Sequence, residues 1–198
     1  MMRTISHELF IKTFEDRNCP MIYTRGLSTQ IEDLRVIVAL CRYYKSEKFL
    51  ELGVRYGHSA KFILEQCPCI EKYIGVDVPF SFVPEKESQK PEIPLQTGIM
   101  ATFDKRFQST VLENGTKDLE NNNCFGHLFD FIFIDADHSL NGITRDTTVA
   151  KRMIKKSGVI LWHDYGSEKD VTGFLDNLSR EDDGITHVED TLCCFVKT

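Results

Sequence analysis

Two polar clusters stand where apolar runs stop. Asp135-Ala136-Asp137-His138 follows the run Phe129 to Ile134, and His163-Asp164 follows the run Val159 to Trp162. At a strand end the chain is turning, so Asp135 and Asp137 can face one crevice that Asp164 also borders. Two strand ends carrying acids make an oxygen-rich site suited to Mg²⁺ or another hard divalent ion. Such an ion would hold a substrate hydroxyl and lower its pKa, while a free carboxylate takes the proton. His163 leaves two alternatives open: a nitrogen ligand for a softer transition metal, or, with no metal, a base near neutral pH. His138 reads as an exposed or helix-capping residue.

A second set of residues suits a nucleoside. Glu51-Leu52-Gly53 closes an apolar run, Gly57 follows, and another apolar run, Tyr73 to Val76, ends at Asp77. Strand, glycine turn, helix, strand and acid is the order of a nucleoside-binding βαβ unit. Glycine lets backbone approach a ligand without a Cβ in the way. Asp77 lies 20 residues after Gly57, placed to accept hydrogen bonds from ribose hydroxyls. The spacing Glu51-x-Gly53-x-x-x-Gly57 has one glycine fewer than the G-x-G-x-x-G of dinucleotide enzymes, in which a pyrophosphate sits on the helix. An acid two residues before the first glycine instead suits a ligand with an ammonium group and no phosphate.

The elements that must position these residues can be traced along the chain. Residues 6–16 form a short amphipathic helix with Leu9, Phe10, Thr13 and Phe14 on one side. Thr29 and Glu32 make a capping box for a helix running to about residue 45 through Ile31, Leu34, Ile37, Val38, Cys41 and Tyr44. Four prolines between Pro79 and Pro94 make 79–97 a loop, expected to be mobile and to cover the bound ligands. A helix is expected near 98–108, with Ile99, Met100, Phe103 and Phe107 on one side, then a strand over 109–112 and a turn at Asn121, Asn122 and Asn123. Ile143, Thr147, Ala150 and Ile154 mark a helix whose last turn holds Lys155 and Lys156 and which Gly158 ends. Val171, Phe174, Leu175 and Leu178 mark one more, and 185–188 and 192–196 a closing hairpin. The sum is an α/β fold: one doubly wound, Rossmann-like sheet, mostly parallel, with an antiparallel C-terminal hairpin strand and helices on both faces. It reads as a single domain over 1–198, with 1–28 an N-terminal extension and 79–97 a loop insertion.

These motifs resemble class I S-adenosylmethionine-dependent methyltransferases. Together with the later run Ile134-Asp135-Ala136-Asp137-His138-Ser139 and Ser157-Gly158 to Gly166, they resemble the small-molecule and sugar O-methyltransferases of methyltransferase family 24, over roughly residues 30–198. The resemblance implies S-adenosylmethionine as cofactor, with Glu51, Gly53, Gly57, Ser59, Asp77, Thr116 and Asp135 binding it. It implies metal ligation by Asp135 and Asp164, joined by His163 if a metal is used, and catalysis by Asp137 as base, with His163 as the metal-free alternative. One departure stands out: the acidic pair of metal-dependent members is here His163-Asp164, so whether a metal is required stays open. The implied reaction is methyl transfer to a hydroxyl of a small polyhydroxylated molecule. A non-catalytic cofactor-binding or partner-subunit protein of the same fold is the alternative, and the retained Asp135, Asp137 and Asp164 argue against it.

Composition narrows the partners. The 198 residues hold 41% hydrophobic and 27% charged side chains, ordinary for a globular domain. A net charge of −6 with scattered lysines argues against nucleic acid. No apolar run approaches a membrane span, and no secretory signal is visible, so a cytoplasmic protein with reduced thiols among its seven cysteines is expected. A homo-oligomer is left open.

Overall fold

The computed structural model describes residues 2–15, 30–83, 93–120, 125–126 and 128–198. The cap residue Thr29, the turn at Asn121 to Asn123, residues 16–28 of the extension and 84–92 of the loop lie outside the described residues. Among those described, eight strands form one sheet: β1 (Arg3–Ile5), β2 (Lys48–Leu52), β3 (Lys72–Asp77), β4 (Phe107–Val111), β5 (Phe129–Ile134), β6 (Ile154–Trp162), β7 (Thr186–Val188) and β8 (Cys194–Lys197). The helices are α1 (His7–Phe14), α2 (Ile31–Tyr43), α3 (His58–Gln66), α4 (Leu140–Met153) and α5 (Lys169–Glu181), with one 3₁₀ turn at Gly115–Leu119. The strand order is β1-β7-β8-β6-β5-β2-β3-β4. Only the pairings of β8, with β6 and β7, are antiparallel. The expected doubly wound sheet with its antiparallel hairpin strand is therefore the one observed.

The continuous apolar runs are explained by cover on both faces of the sheet. Phe49, Tyr73, Phe131, Phe133, Val159 and Leu161 pack with α1, α2 and α3. Their neighbours Leu50, Ile74, Ile132, Ile134, Ile160 and Trp162 pack with α4 and α5. Phe49 lies in register with Tyr73 and Phe131, and its ring stacks on theirs at 4.5 and 4.8 Å. Each fully buried side chain of this size stabilises by roughly 1.5–3 kcal/mol, so this ladder fixes the central strands firmly. Rigid central strands hold their carboxyl ends, and whatever those ends carry, in place.

The connections set where a ligand can sit. From β2 the chain winds outward to β3 and β4; from β5 it winds the other way to β6. The order reverses between β2 and β5, and the carboxyl ends of those two strands flank the crevice that such a reversal opens.

Two expectations differ from the observed fold, and one strand has no counterpart among them. Residues 97–105 are turns rather than a helix, and Phe107 opens β4. Gly98 has φ +71°, and a Cβ there would stand 2.5 Å from the Phe107 ring, so that ring folds back over the turn. Gly98 and Met100 donate their amides to Arg55 and Tyr56 carbonyls at 2.7 and 2.9 Å. Backbone bonds to another segment displaced helical ones, and the apparent stripe scattered: Ala101 is buried, whereas Phe103 is 95% exposed. Next, α4 ends at Met153, and Ile154, Lys155 and Lys156 belong to β6, where Ile154 pairs with Phe129 and Lys155 meets Asp130 at 2.8 Å. Apolar spacing cannot separate the last turn of a helix from a strand that follows without a break. Finally, β1, a three-residue edge strand parallel to β7, has no periodic signal of its own.

Candidate active site

Glu51 sits on β2 with no exposed surface. Ser59 donates its hydroxyl to one carboxyl oxygen at 2.5 Å and Tyr73 donates to the other at 2.9 Å. Burial pushes its pKa up to about 8, against the lowering effect of both hydroxyls. In this arrangement Glu51 and Ser59 brace the turn from beneath and present no oxygen to solvent. Gly53 follows with φ +95°, and a Cβ there would meet the Asp135 carbonyl oxygen at 2.0 Å. What approaches this glycine so closely is the backbone at the end of β5. Gly57, at φ +82°, precedes α3 and packs on Gly98.

Asp77 closes β3 and reaches across to this turn. Its carboxylate accepts from the Arg55 amide at 2.5 Å and the Val78 amide at 2.7 Å. Burial raises its pKa, and the two amides offset part of that rise. Asp77 therefore fixes the shape of the Val54–Tyr56 turn while standing at the carboxyl edge of the crevice.

On the other side of the crevice, Asp135, His138, His163 and Asp164 come together. His138 Nε2 lies 2.9 Å from Asp164 and 3.9 Å from Asp135. His163 Nδ1 lies 3.3 Å from each of the same carboxylates. On its far side, His163 Nε2 meets the Asp33 carboxylate of α2 at 3.2 Å. Asp33 is fully buried, and its other oxygen accepts from the Leu192 amide at 2.8 Å. Asp164 holds φ +64°, a left-handed conformation uncommon outside glycine. Ser167 supports it by donating to the Asp164 carboxylate at 3.1 Å.

The electrostatics follow from this interleaving. The Asp135 and Asp164 carboxylates push His138 up to about 10. Burial works to lower His163, but Asp135, Asp164 and Asp33 outweigh it and push it up to about 12. Conversely, burial would raise Asp135 and Asp164, and the two rings hold both below the usual carboxylate range. Without an ion the cluster is thus two cations between carboxylates, and a ring so protonated has no lone pair to take a proton at neutral pH.

A divalent metal fits the donor set. One ligand atom each from Asp135, His138 and Asp164 lies within 4.8 Å of the others. His138 Nε2 and His163 Nδ1 both point at these carboxylates, at 2.9 Å from Asp164 and 3.3 Å from Asp135 and Asp164, so carboxylate oxygens and imidazole nitrogens converge on one place. Sequence alone groups Asp135, Asp164 and His163 and leaves His138 outside. The position of His138, three residues after Asp135 at the mouth of α4, is the signal that could have placed it with them.

Asp137 and Thr116 turn toward α4. Asp137 accepts from the Ser139 amide at 3.0 Å, packs over Gly142 and meets Arg145 at 3.5 Å. Its side chain is 45% exposed. Thr116 is buried and donates its hydroxyl to Asp146 while accepting from Arg145 at 3.0 Å. Burial pushes Asp146 up to about 6. This network ties the 3₁₀ turn to α4.

The sheet order, the glycine turn and the acid ending β3 define a Rossmann-like nucleoside-binding fold. Residues 50–165, more than half of the chain, match methyltransferase family 24, described as a methyltransferase domain, and the chain belongs to that family. Solved structures share the fold. An O-methyltransferase from Bacillus cereus in complex with S-adenosylhomocysteine is 15% identical with a TM-score of 0.58, over 97% of this chain and 90% of that one. A methyltransferase from Podospora anserina, also bound to S-adenosylhomocysteine, is 15% identical with a TM-score of 0.59, over 96% and 85%. The O-methyltransferase TomG from Streptomyces achromogenes, involved in tomaymycin synthesis and solved with S-adenosylmethionine, is 13% identical with a TM-score of 0.56, over 97% and 87%. No curated protein sequence matches this chain. Among the described residues, no helix is long and apolar enough to cross a membrane.

Proposed function

We propose that this protein transfers a methyl group from S-adenosylmethionine to a hydroxyl of a small polyhydroxylated molecule, with a divalent ion at the Asp135 cluster. One observation carries the reading. The Asp135 end of β5 packs directly against Gly53 of the glycine turn, so the mixed carboxylate and imidazole cluster borders the turn that we assign to the cofactor. The family membership and the cofactor-bound structures of the same fold support it.

We assign Asp77 to the ribose hydroxyls, Gly53 and Gly57 to the turn that admits the cofactor, and Glu51 and Ser59 to bracing it. Asp135, His138, His163 and Asp164 would hold the ion, whose chemistry is to lower the pKa of an acceptor hydroxyl. We assign the base to Asp137, the half-exposed carboxylate two residues after Asp135, which Arg145 and the Ser139 amide hold. It takes the hydroxyl proton as the oxygen forms a bond to the methyl carbon and the carbon–sulfur bond breaks. S-Adenosylhomocysteine leaves as a neutral thioether, so orientation and deprotonation are the main demands on the protein.

The test is a methyl-transfer assay with labelled S-adenosylmethionine over a panel of sugars, catechols and flavonoid-type hydroxyls, beside calorimetric titration with S-adenosylhomocysteine and NAD. Binding of S-adenosylhomocysteine but not NAD, with label on oxygen of at least one acceptor, is expected. Label found only on nitrogen, or tighter binding of NAD, would reject the reading.

A further inference from the structure

The cluster holds more nitrogen than a hard-ion site needs. A Mg²⁺ site is built from oxygens and water, because the ion holds its hydration shell tightly. Here two carboxylates alternate with two imidazoles, whose facing nitrogens, His138 Nε2 and His163 Nδ1, lie 2.9 Å from Asp164 and 3.3 Å from Asp135 and Asp164. His163 is only 9% exposed at its side chain, so protein groups and not water set its orientation.

Asp33 explains which nitrogen faces the site. A fully buried carboxylate costs several kcal/mol unless it is paired. One oxygen of Asp33 is taken by the Leu192 amide, and the other faces His163 Nε2. A carboxylate can only accept, so Nε2 must carry a proton, and in the neutral ring the lone pair then falls on Nδ1. Nδ1 is the atom 3.3 Å from both Asp135 and Asp164. A carboxylate that orients an imidazole from behind is the usual support of a metal-ligating histidine.

We propose that Asp135, His138, His163 and Asp164 form a two-oxygen, two-nitrogen site for a borderline divalent transition ion, of the Co²⁺ or Zn²⁺ class rather than Mg²⁺, and that Asp33 is the positioning residue that turns the His163 Nδ1 lone pair into it. Imidazole favours such ions, with affinity rising along the first transition row, whereas carboxylate alone suits Mg²⁺. The inference deepens the proposed function by naming the ion class, and it rests on that reading only for the purpose of the ion.

The experiment uses the full chain stripped with chelator and titrated with Co²⁺, Mn²⁺ and Mg²⁺ separately. Co²⁺ is read by its visible absorption and all three by calorimetry. Co²⁺ should bind at least about tenfold more tightly than Mg²⁺, as nitrogen donors require. Asp33→Asn keeps the volume and offers an amide to Nε2, which favours the opposite tautomer. It should weaken Co²⁺ by about 10- to 100-fold, the usual cost of losing such a support, and shift the absorption band. His163→Asn should do the same, and the double variant should be no worse than either single one, because Asp33 acts through His163. Nitrogen-15 spectra of the unmodified protein loaded with Zn²⁺ should show a proton on Nε2 and none on Nδ1, which tests the tautomer even if Asp33→Asn does not fold.

Mg²⁺ binding as tightly as Co²⁺, additive losses in the double variant, or a proton on Nδ1 in the loaded protein would overturn the proposal. A parallel titration with S-adenosylhomocysteine separates the two readings. Failure of that ligand with the ion selectivity intact removes the methyl-transfer reading alone; the reverse pattern removes the ion site alone.

Discussion

Asp77 and Asp137 have different jobs, and substitution distinguishes them. If Asp77 meets ribose, Asp77→Ala removes charge-assisted hydrogen bonds worth about 1.5–3 kcal/mol, or roughly 10- to 150-fold in affinity for S-adenosylhomocysteine. Because Asp77 also holds the Arg55 and Val78 amides, Asp77→Asn is the gentler probe and should weaken binding less. Calorimetry on both variants checks this, and unchanged affinity in Asp77→Ala would remove Asp77 from the cofactor site. Asp137→Asn, by contrast, should lower kcat and leave ion affinity unchanged. A base acts in the transition state, whereas a ligand sets the affinity of the ion. A matching loss of ion affinity in Asp137→Asn would show Asp137 to be a ligand.

At the scale of elements, two contacts decide whether the crevice keeps its shape. Gly53→Ala would place a methyl 2.0 Å from the Asp135 carbonyl oxygen at φ +95°, so β2 and β5 must part at their ends. We expect a loss of about 3 kcal/mol or more, the range in which steric and backbone strain combine. Urea unfolding reads it, and a loss below about 1 kcal/mol would mean that the strand ends are not packed as described. Arg106 caps the far end of α3. Its guanidinium donates to the Leu64, Cys67 and Ile70 carbonyls at 2.7, 3.2 and 3.3 Å and is held by Asp104 at 2.6 Å. Arg106→Met removes the guanidinium from all three, leaving Cys67 only the Ile70 amide at 3.2 Å, and should cost about 1–3 kcal/mol. Amide exchange should quicken over residues 66–70 before it does elsewhere; uniform quickening would deny Arg106 a local role.

For the molecule as a whole, buried acids give stability an unusual dependence on pH. Burial raises Asp146 from 3.8 to about 6 and Glu51 from 4.5 to about 8. A group raised in the folded state contributes stability that is complete below its unfolded pKa and is lost as pH rises through the folded one. Asp146 therefore acts between 3.8 and about 6, and Glu51 between 4.5 and about 8. His138, raised from 6.5 to about 10, adds loss of the same sign above neutrality. Asp104, Asp130, Asp135 and Asp164 are lowered, so their contribution is present above the ordinary carboxylate range and fades in acid. The chelator-treated protein should be most stable near pH 5 and weaker by a few kcal/mol at pH 8, since each tenfold change in a group's proton affinity is worth about 1.36 kcal/mol. Glu51→Gln should flatten the upper part of that slope. Equal urea midpoints at pH 5 and pH 8 would show that these carboxyls are solvated.

Most of the order of strands and helices, the doubly wound sheet and the acids at its carboxyl edge were legible in the chain itself, whereas β1 and the turns over 97–105 were not. Apolar runs buried on both faces have a period and a length, and glycine and aspartate at their ends are local chemistry. What the tertiary structure alone decided are contacts between residues far apart in sequence. Asp33 meets His163 across 130 positions. Its helix is buried nearly all round, so no periodicity set that acid apart from its neighbours. The stripe over 98–108 had helical spacing, yet its amides found the Arg55 and Tyr56 carbonyls first. His138 looked like a cap until two strand ends brought Asp135 and Asp164 to the same ring. Local pattern determines which elements form, because it acts within a few residues. Which polar side chains share one crevice depends on strand order and packing, and those are settled only when the whole sheet closes around its core.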